Sequence, residues 1–246
     1  MIAKGSFLFT MKENKALHLQ LGNFEEKGLY LIFEDSTLLS LTESEIAHIS
    51  KKFWQDTARL PVDVRDAADF GLCPICPERG KKGICFALHP VLPFLEFIDR
   101  YASYDKVTAV YKGDDSELLN VSDTTMTSAL QYISILSLMY YCRTGRKYWR
   151  YYFGVNPLMG VKETRNRLYL NIYWLHKGNL EEIHQAISKF KNEIRIISQS
   201  QVKRLSLMCN NDAFTNAFAA THIATEILSL DMEDALKTSF NTFDAL

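Results

Sequence analysis

"TTMTSALQYISILSLMYYC", Thr124–Cys142, divides the chain. Met126, Leu130, Ile133, Leu136, Met139 and Tyr140 recur at helical spacing on one face, and Ile135 and Leu138 cover the other. A helix apolar on every side belongs at the centre of a fold. Its most apolar part, Leu130–Cys142, is too short and too rich in serine to span a bilayer. The chain before it reads mainly as strand, and the chain after it reads as helix.

Upstream, "GSFLFTMKE" (5–13), "KALHLQLG" (15–22) and "GLYLIFED" (28–35) are short runs separated by turn-forming residues. Leu17, Leu19 and Leu21 alternate with His18 and Gln20, as in a half-buried strand, so a three-stranded antiparallel meander is expected. "LTESEIAHISKKFWQDTARL" (41–60) switches to helical spacing, with Thr42 and Glu45 placed as a capping box. From Pro61 to the cysteine stretch the chain reads as acidic and irregular. A short helix is expected over 91–104, then a hairpin of strands 105–113 and 116–122.

Downstream, "KETRNRLYLNIYWLHKG" (162–178) is read as a helix with Gly178 at its C′ position and Asn179 capping the next. That next helix spaces Ile183, Ile187, Phe190, Ile194 and Ile197 by four and three, which makes a packing seam. "NNDAFTNAFAATHIATEIL" (210–228) has Asp212 placed to cap it, and "MEDALKTSF" (232–240) is expected as a last short helix. The fold class is therefore α+β: a small antiparallel sheet, a Cys-Pro loop, then a C-terminal helical bundle. Residues 1–122 form the mixed part with the loop at 73–90, residues 123–246 form the bundle, and the two make one compact domain.

The chain has 246 residues, is 47% hydrophobic and 23% charged, and carries a net charge of −1. That suffices for a core without metal or disulfide, and gives no whole-chain attraction to nucleic acid or membrane. "MIAKGSFLFTMKENK" contains no apolar run of signal-peptide length, and five cysteines is an odd number. A cytoplasmic chain with reduced thiols is the expectation.

Three of those cysteines stand in "CPICPERGKKGICFALHP" (73–90). Three readings stay open. Cys73-x2-Cys76 supplies half of a tetrahedral metal site, with Cys85 as third ligand and His89 or Cys142 as fourth; structural zinc would then tie the loop to the bundle. Pro77 opposes a standard zinc knuckle, since that position usually needs φ > 0. The Cys-x-x-Cys spacing also fits a redox pair, but "DAADFGL" before it is a poor strand. The third reading is a stiff turn whose thiols are buried as small apolar groups.

These motifs together resemble an uncharacterised bacterial family with a Cys-Pro-x-Cys-Pro signature. The likeness runs over about 70–230 and rests on "CPICP" with Cys85, Tyr104, Asp105, Val107 and Val110, the serine- and leucine-rich central helix, and "NDAFTNAF" (211–218). The resemblance implies bacterial origin and brings no catalytic residues. Members of that family carry a third Cys-Pro, where this chain has Cys85-Phe86, and a fourth after Ser-Gly at the end of the central helix. Here Thr144-Gly145 is followed by Arg146 and Lys147, and Cys142 lies one turn earlier, so it could substitute only if the helix end rearranges.

"CRTGRKYWRYYFG" (142–154) holds Arg143, Arg146, Lys147 and Arg150 beside Tyr148, Trp149, Tyr151, Tyr152 and Phe153. Over 143–167 seven basic residues face one acid, Glu163, a local charge of +6. Cations with rings suit single-stranded nucleic acid. The same residues suit a protein interface, or a helix end whose rings fill the core. Dinucleotide, Walker and Gly-x-Ser-x-Gly signatures are absent, and His184 and His222 read as hydrogen-bonded structural histidines.

The expectation is a non-enzymatic bacterial regulatory or accessory protein that binds another protein through Arg143, Arg146, Lys147, Trp149, Arg150 and Tyr152. An operon with defence or transcription-control genes would fit that role. The alternatives are nucleic-acid association through the same segment, and a zinc- or thiol-dependent enzyme built on Cys73, Cys76, Cys85 and Cys142. No cofactor other than that structural zinc is suggested.

Overall fold

Alternation in "GLYLI" sends Leu29 and Leu31 to one side and Tyr30 and Ile32 to the other, and all are buried. A computed structural model of the chain describes residues 24–55, 62–69, 72–81, 84–95, 100–113, 119–208 and 212–227, and in it this stretch is strand β1 (Gly28–Ile32). Its partners are β2 (Leu38–Thr42) and β3 (Lys106–Lys112), and β3 pairs in turn with β4 (Leu119–Thr125). Among the described residues the sheet is four-stranded and antiparallel in the order β2-β1-β3-β4, with Leu29 opposite Leu41 and Tyr111. The strands expected over 5–13 and 15–22 and the helix expected over 232–240 lie outside the described residues.

Strand β2 corrects the reading that ran straight from turn to helix. Thr42 both ends the strand and caps helix α1 (Glu43–Gln55), its Oγ1 accepting from the Glu45 N–H at 3.1 Å as the capping box requires. A second correction falls on 62–69, which forms helix α2 (Val62–Asp69) rather than irregular chain; Ala67 and Ala68 are buried, and small side chains let the helix approach its neighbour closely. Over 91–104, the described part begins as a short 3₁₀ turn at Leu92–Phe94.

The central helix begins two residues later than expected. Thr124 and Thr125 finish β4, and the Thr125 hydroxyl caps α3 (Met126–Leu136) by accepting from the Ser128 N–H. Met126, Ala129, Leu130 and Ile133 are fully buried in one continuous cluster that joins the sheet, the cysteine loop and the later helices. The helix then widens into a π-helical turn, Ser137–Tyr141. That wider turn shifts the register, so Tyr140, expected on the apolar face, is 48% exposed.

Among the described residues three α-helices come after it: α4 (Val161–Leu175), α5 (Leu180–Met208) and α6 (Asp212–Ile227). Helix α4 ends in a Schellman motif, with the Gly178 N–H on the Tyr173 carbonyl and the Lys177 N–H on the Trp174 carbonyl. Lys177 (φ 50°) therefore takes the C′ position and Gly178 (φ 74°) the one after it, one residue later than the spacing implies. Asn179 caps α5 as expected: its Oδ1 accepts from the Glu182 N–H while its Nδ2 donates to the Glu182 carboxylate. The five seam residues Ile183, Ile187, Phe190, Ile194 and Ile197 are all buried, each contributing about 1.5–3 kcal/mol of burial. The Asp212 carboxylate accepts from the Ser103 N–H and hydroxyl, tying α6 to the turn before β3. Among the described residues no helix is long and apolar enough to cross a membrane.

Gly145 comes just after the π turn, and a Cβ there would run into the Leu138 carbonyl oxygen. Gly145→Ala should lower unfolding free energy by about 3 kcal/mol in urea titration, since the obstacle is backbone. Gly160→Ala, where nothing lies within 4 Å, should stay within about 0.5 kcal/mol of the parent.

Candidate functional site

The Cys-Pro stretch folds as successive turns. The Cys76 N–H donates to the Cys73 carbonyl at 2.9 Å and the Arg79 N–H to the Cys76 carbonyl at 3.1 Å. Cys85 then opens a 3₁₀ turn, Phe86–Leu88. The loop is held on the end of α3 by buried hydroxyls: Ser137 donates to the Ala87 carbonyl, and Thr144 to the Ile75 carbonyl at 3.1 Å. Ser50 of α1 donates to the His89 carbonyl at 2.8 Å. Each such bond is worth about 1 kcal/mol, and removing one strands a carbonyl.

This docking brings Cys73, Cys76, Cys85 and Cys142 to the walls of one cavity of about 100 Å³. Of the two residues offered as a fourth partner, Cys142 is there and His89 is not. The π turn delivers Cys142, whose N–H donates to the Ser137 carbonyl five residues back. The His89 ring stacks on Phe86 at 5.2 Å and faces a separate groove with Ser50, Lys51 and Tyr141. Among the described residues, no three His, Cys, Asp or Glu side chains are already gathered closely enough to hold a metal ion.

The sulfurs nonetheless sit among donors and cations. The Gly145 N–H donates to Cys142 Sγ at 3.4 Å, and Gln201 Nε2 to Cys85 Sγ at 3.3 Å. The Ile75 N–H reaches Cys73, and the Thr144 N–H also reaches Cys142. The Arg143 guanidinium lines the cavity and lies 4.1 Å over the Phe86 ring; Arg204, 2% exposed, sets a positive charge near Cys73. Burial nevertheless pushes the Cys73 thiol up to about 11 and the Cys142 thiol up to about 12. A thiolate nucleophile needs the opposite shift.

Gln201 and Arg204 escaped the sequence reading, although a signal was present. They continue the 4-3 spacing of the α5 seam beyond Ile197, where a polar residue at an apolar position asks for a partner.

The basic-aromatic segment is divided between core and surface. Gly145–Tyr152 forms a 3₁₀ helix. With three residues per turn, Gly145, Tyr148 and Tyr151 fall on one row and Trp149 and Tyr152 share the next, so contacts with α5 and not the repeat alone divide core from surface. Tyr148 and Tyr152 are buried, and both rings pack edge-on against Phe190 of α5. Tyr152 is therefore core, which removes it from the binding surface expected of this segment. Trp149 is 41% exposed and Phe153 67%. Asn171 of α4 donates to the Tyr151 and Phe153 carbonyls at 2.8 Å, setting the end of the segment beside Trp174, which is 70% exposed. Trp149, Arg150, Phe153, Asn171, Trp174 and Leu175 line one open groove, with the Arg150 guanidinium 5.6 Å from the Trp149 ring centre. Trp174 and Leu175 were missed because one sequence window cannot show two helices meeting.

The basic run is also dispersed. Arg143 turns to the cysteine cavity, Lys147 pairs with Glu193 at 2.5 Å, and Arg165 is buried with its guanidinium on Asn166. Arg146, Arg150, Lys162 and Arg167 remain exposed. His184, read as a structural histidine, is exposed on α5, and the His222 side chain lies outside the described residues. No family model, curated protein or solved structure matches the chain.

Burial and the nearby Arg143 charge depress the His89 imidazole to about 4. The unfolded chain then binds more protons between about pH 6.5 and pH 4, so this contribution to stability is complete above 6.5 and lost as pH falls through 4. Replacing His89 with leucine should flatten the acid limb of stability against pH by about 1–2 kcal/mol. Thermal melts from pH 7 to pH 4 measure it.

Proposed function

We propose that this chain is a non-enzymatic regulatory or accessory protein that binds a protein partner through the groove formed by Trp149, Arg150, Phe153, Trp174 and Leu175. The bacterial setting comes from the Cys-Pro-x-Cys-Pro resemblance. The observation that carries the reading is the exposure of three large rings on adjoining elements, with Phe153 and Trp174 about two-thirds solvent-facing. Clustered exposed apolar rings mark an interaction site, and Trp with Arg is the composition of binding hot spots. Arg150 in the groove, with Arg146 and Arg167 exposed on the same two segments, fits a partner that offers an apolar anchor beside acidic residues.

Nucleic-acid binding through the same rings is the second reading, favoured by Trp149 and Trp174 as stacking surfaces. Two of its expected cations are spent elsewhere, Lys147 on Glu193 and Arg165 in the interior, so the phosphate-tracking stripe is broken.

The test is quantitative affinity capture with the full chain, its Trp149→Ala/Trp174→Ala variant, and a Val121→Ala control on the exposed edge strand β4. A protein held by parent and control and reduced at least about tenfold on the double variant is the expected result. Retention of every captured protein by the double variant overturns the groove. Capture that disappears on nuclease treatment, with steep loss on added salt, favours the nucleic-acid reading.

A further inference from the structure

Four thiols from three separate places in the sequence meet at one cavity. Cys73 and Cys76 come from the Cys-Pro turns, Cys85 from the start of a 3₁₀ turn and Cys142 from the end of α3. Ordinary core cysteines need no such convergence, and the helix departs from α geometry where it delivers the last of them. Local π turns recur at functional sites for this reason.

We propose that Cys73, Cys76, Cys85 and Cys142 hold one zinc ion as a tetrathiolate, pinning the Cys-Pro loop to the end of the central helix. The proposal goes beyond the binding groove and stands independently of it. No three of these sulfurs are gathered round one point as they stand, so metal binding requires the cysteines to turn about their single side-chain torsions toward the cavity. Four thiolates leave no open position, which makes the site structural.

The surroundings match what such a centre needs. A zinc tetrathiolate carries a net charge of −2, and buried charge requires compensation. Arg143 and Arg204 supply two guanidinium groups. Among the described residues Arg143 Nε is buried without a hydrogen-bond partner, a donor available to a thiolate. In the present rotamers the Gly145 and Gln201 N–H groups bond the Cys142 and Cys85 sulfurs, so donors stand beside two of the four cysteines. Gly145, three residues after Cys142, offers its N–H to that sulfur, whereas Pro77, directly after Cys76, has no N–H to give.

The test uses the full-length chain purified without chelator. Elemental analysis should find about one zinc per chain. A thiol-specific mercurial should release it as the four thiols react. Cobalt(II) added to chelator-stripped protein should give the visible bands of tetrahedral thiolate coordination, displaced by equimolar zinc. Cys142→Ser should weaken cobalt binding at least about 100-fold, while Cys209→Ser should not change it. Should Cys142→Ser fail to fold, the parent's zinc content and cobalt spectrum decide alone. Substoichiometric zinc with no tetrahedral cobalt spectrum overturns the proposal, as does iron with acid-labile sulfide in place of zinc.

Discussion

The end of the central helix is the constraint on which the rest of this structure depends. The helix leaves α geometry over 137–141, and Cys142 and Thr144 follow directly after that π turn. Two buried hydroxyls, Ser137 and Thr144, clasp the carbonyls of Ala87 and Ile75. The clasp has two consequences. It brings the fourth thiol to the cavity, and it sends the chain into the 3₁₀ segment whose inward tyrosines seat on Phe190. The same short stretch thus organises the loop on one side and the aromatic groove on the other.

Much of this architecture was legible wherever a local rule governs. The α5 seam, the Asn179 cap, the Thr42 capping box and the α+β order all come from spacing and capping chemistry that a single element carries. Strand β2 and helix α2 were not legible. "LLSLT" has too few residues to show a period before the helix pattern takes over, and "VDVRDAAD" looks polar because its buried face consists mainly of two alanines. The π turn was likewise hidden, since nothing in "SLMYY" distinguishes it from α; the Cys142 N–H on the Ser137 carbonyl and Tyr140 in solvent reveal the shift.

The site was partly legible, and the reason lies in the difference between composition and geometry. Segment 142–154 announces an excess of rings and cations, but sequence cannot divide them between core and surface. The packing against α5 does so, burying Tyr148 and Tyr152 on Phe190 while Trp149 and Phe153 stay exposed. Helix α4 completes the groove with Trp174, placed by the Asn171 bonds to the segment's last carbonyls. Burial has also moved the thiols away from nucleophilic chemistry, since desolvation holds Cys73 and Cys142 protonated through the neutral range. Zinc would reverse that state, exchanging protons for metal, and coupling metal to folding is the expected consequence.

Native-state hydrogen exchange on a Thr144→Val variant tests most directly whether loop and helix end form one cooperative unit. Removing the hydroxyl that holds the Ile75 carbonyl should speed exchange at Cys76 and Leu88 in the loop. Cys142 and Arg146 at the helix end should accelerate by the same factor, about tenfold for a loss near 1.4 kcal/mol. Faster exchange confined to the loop, with 142–146 unchanged, would contradict the account.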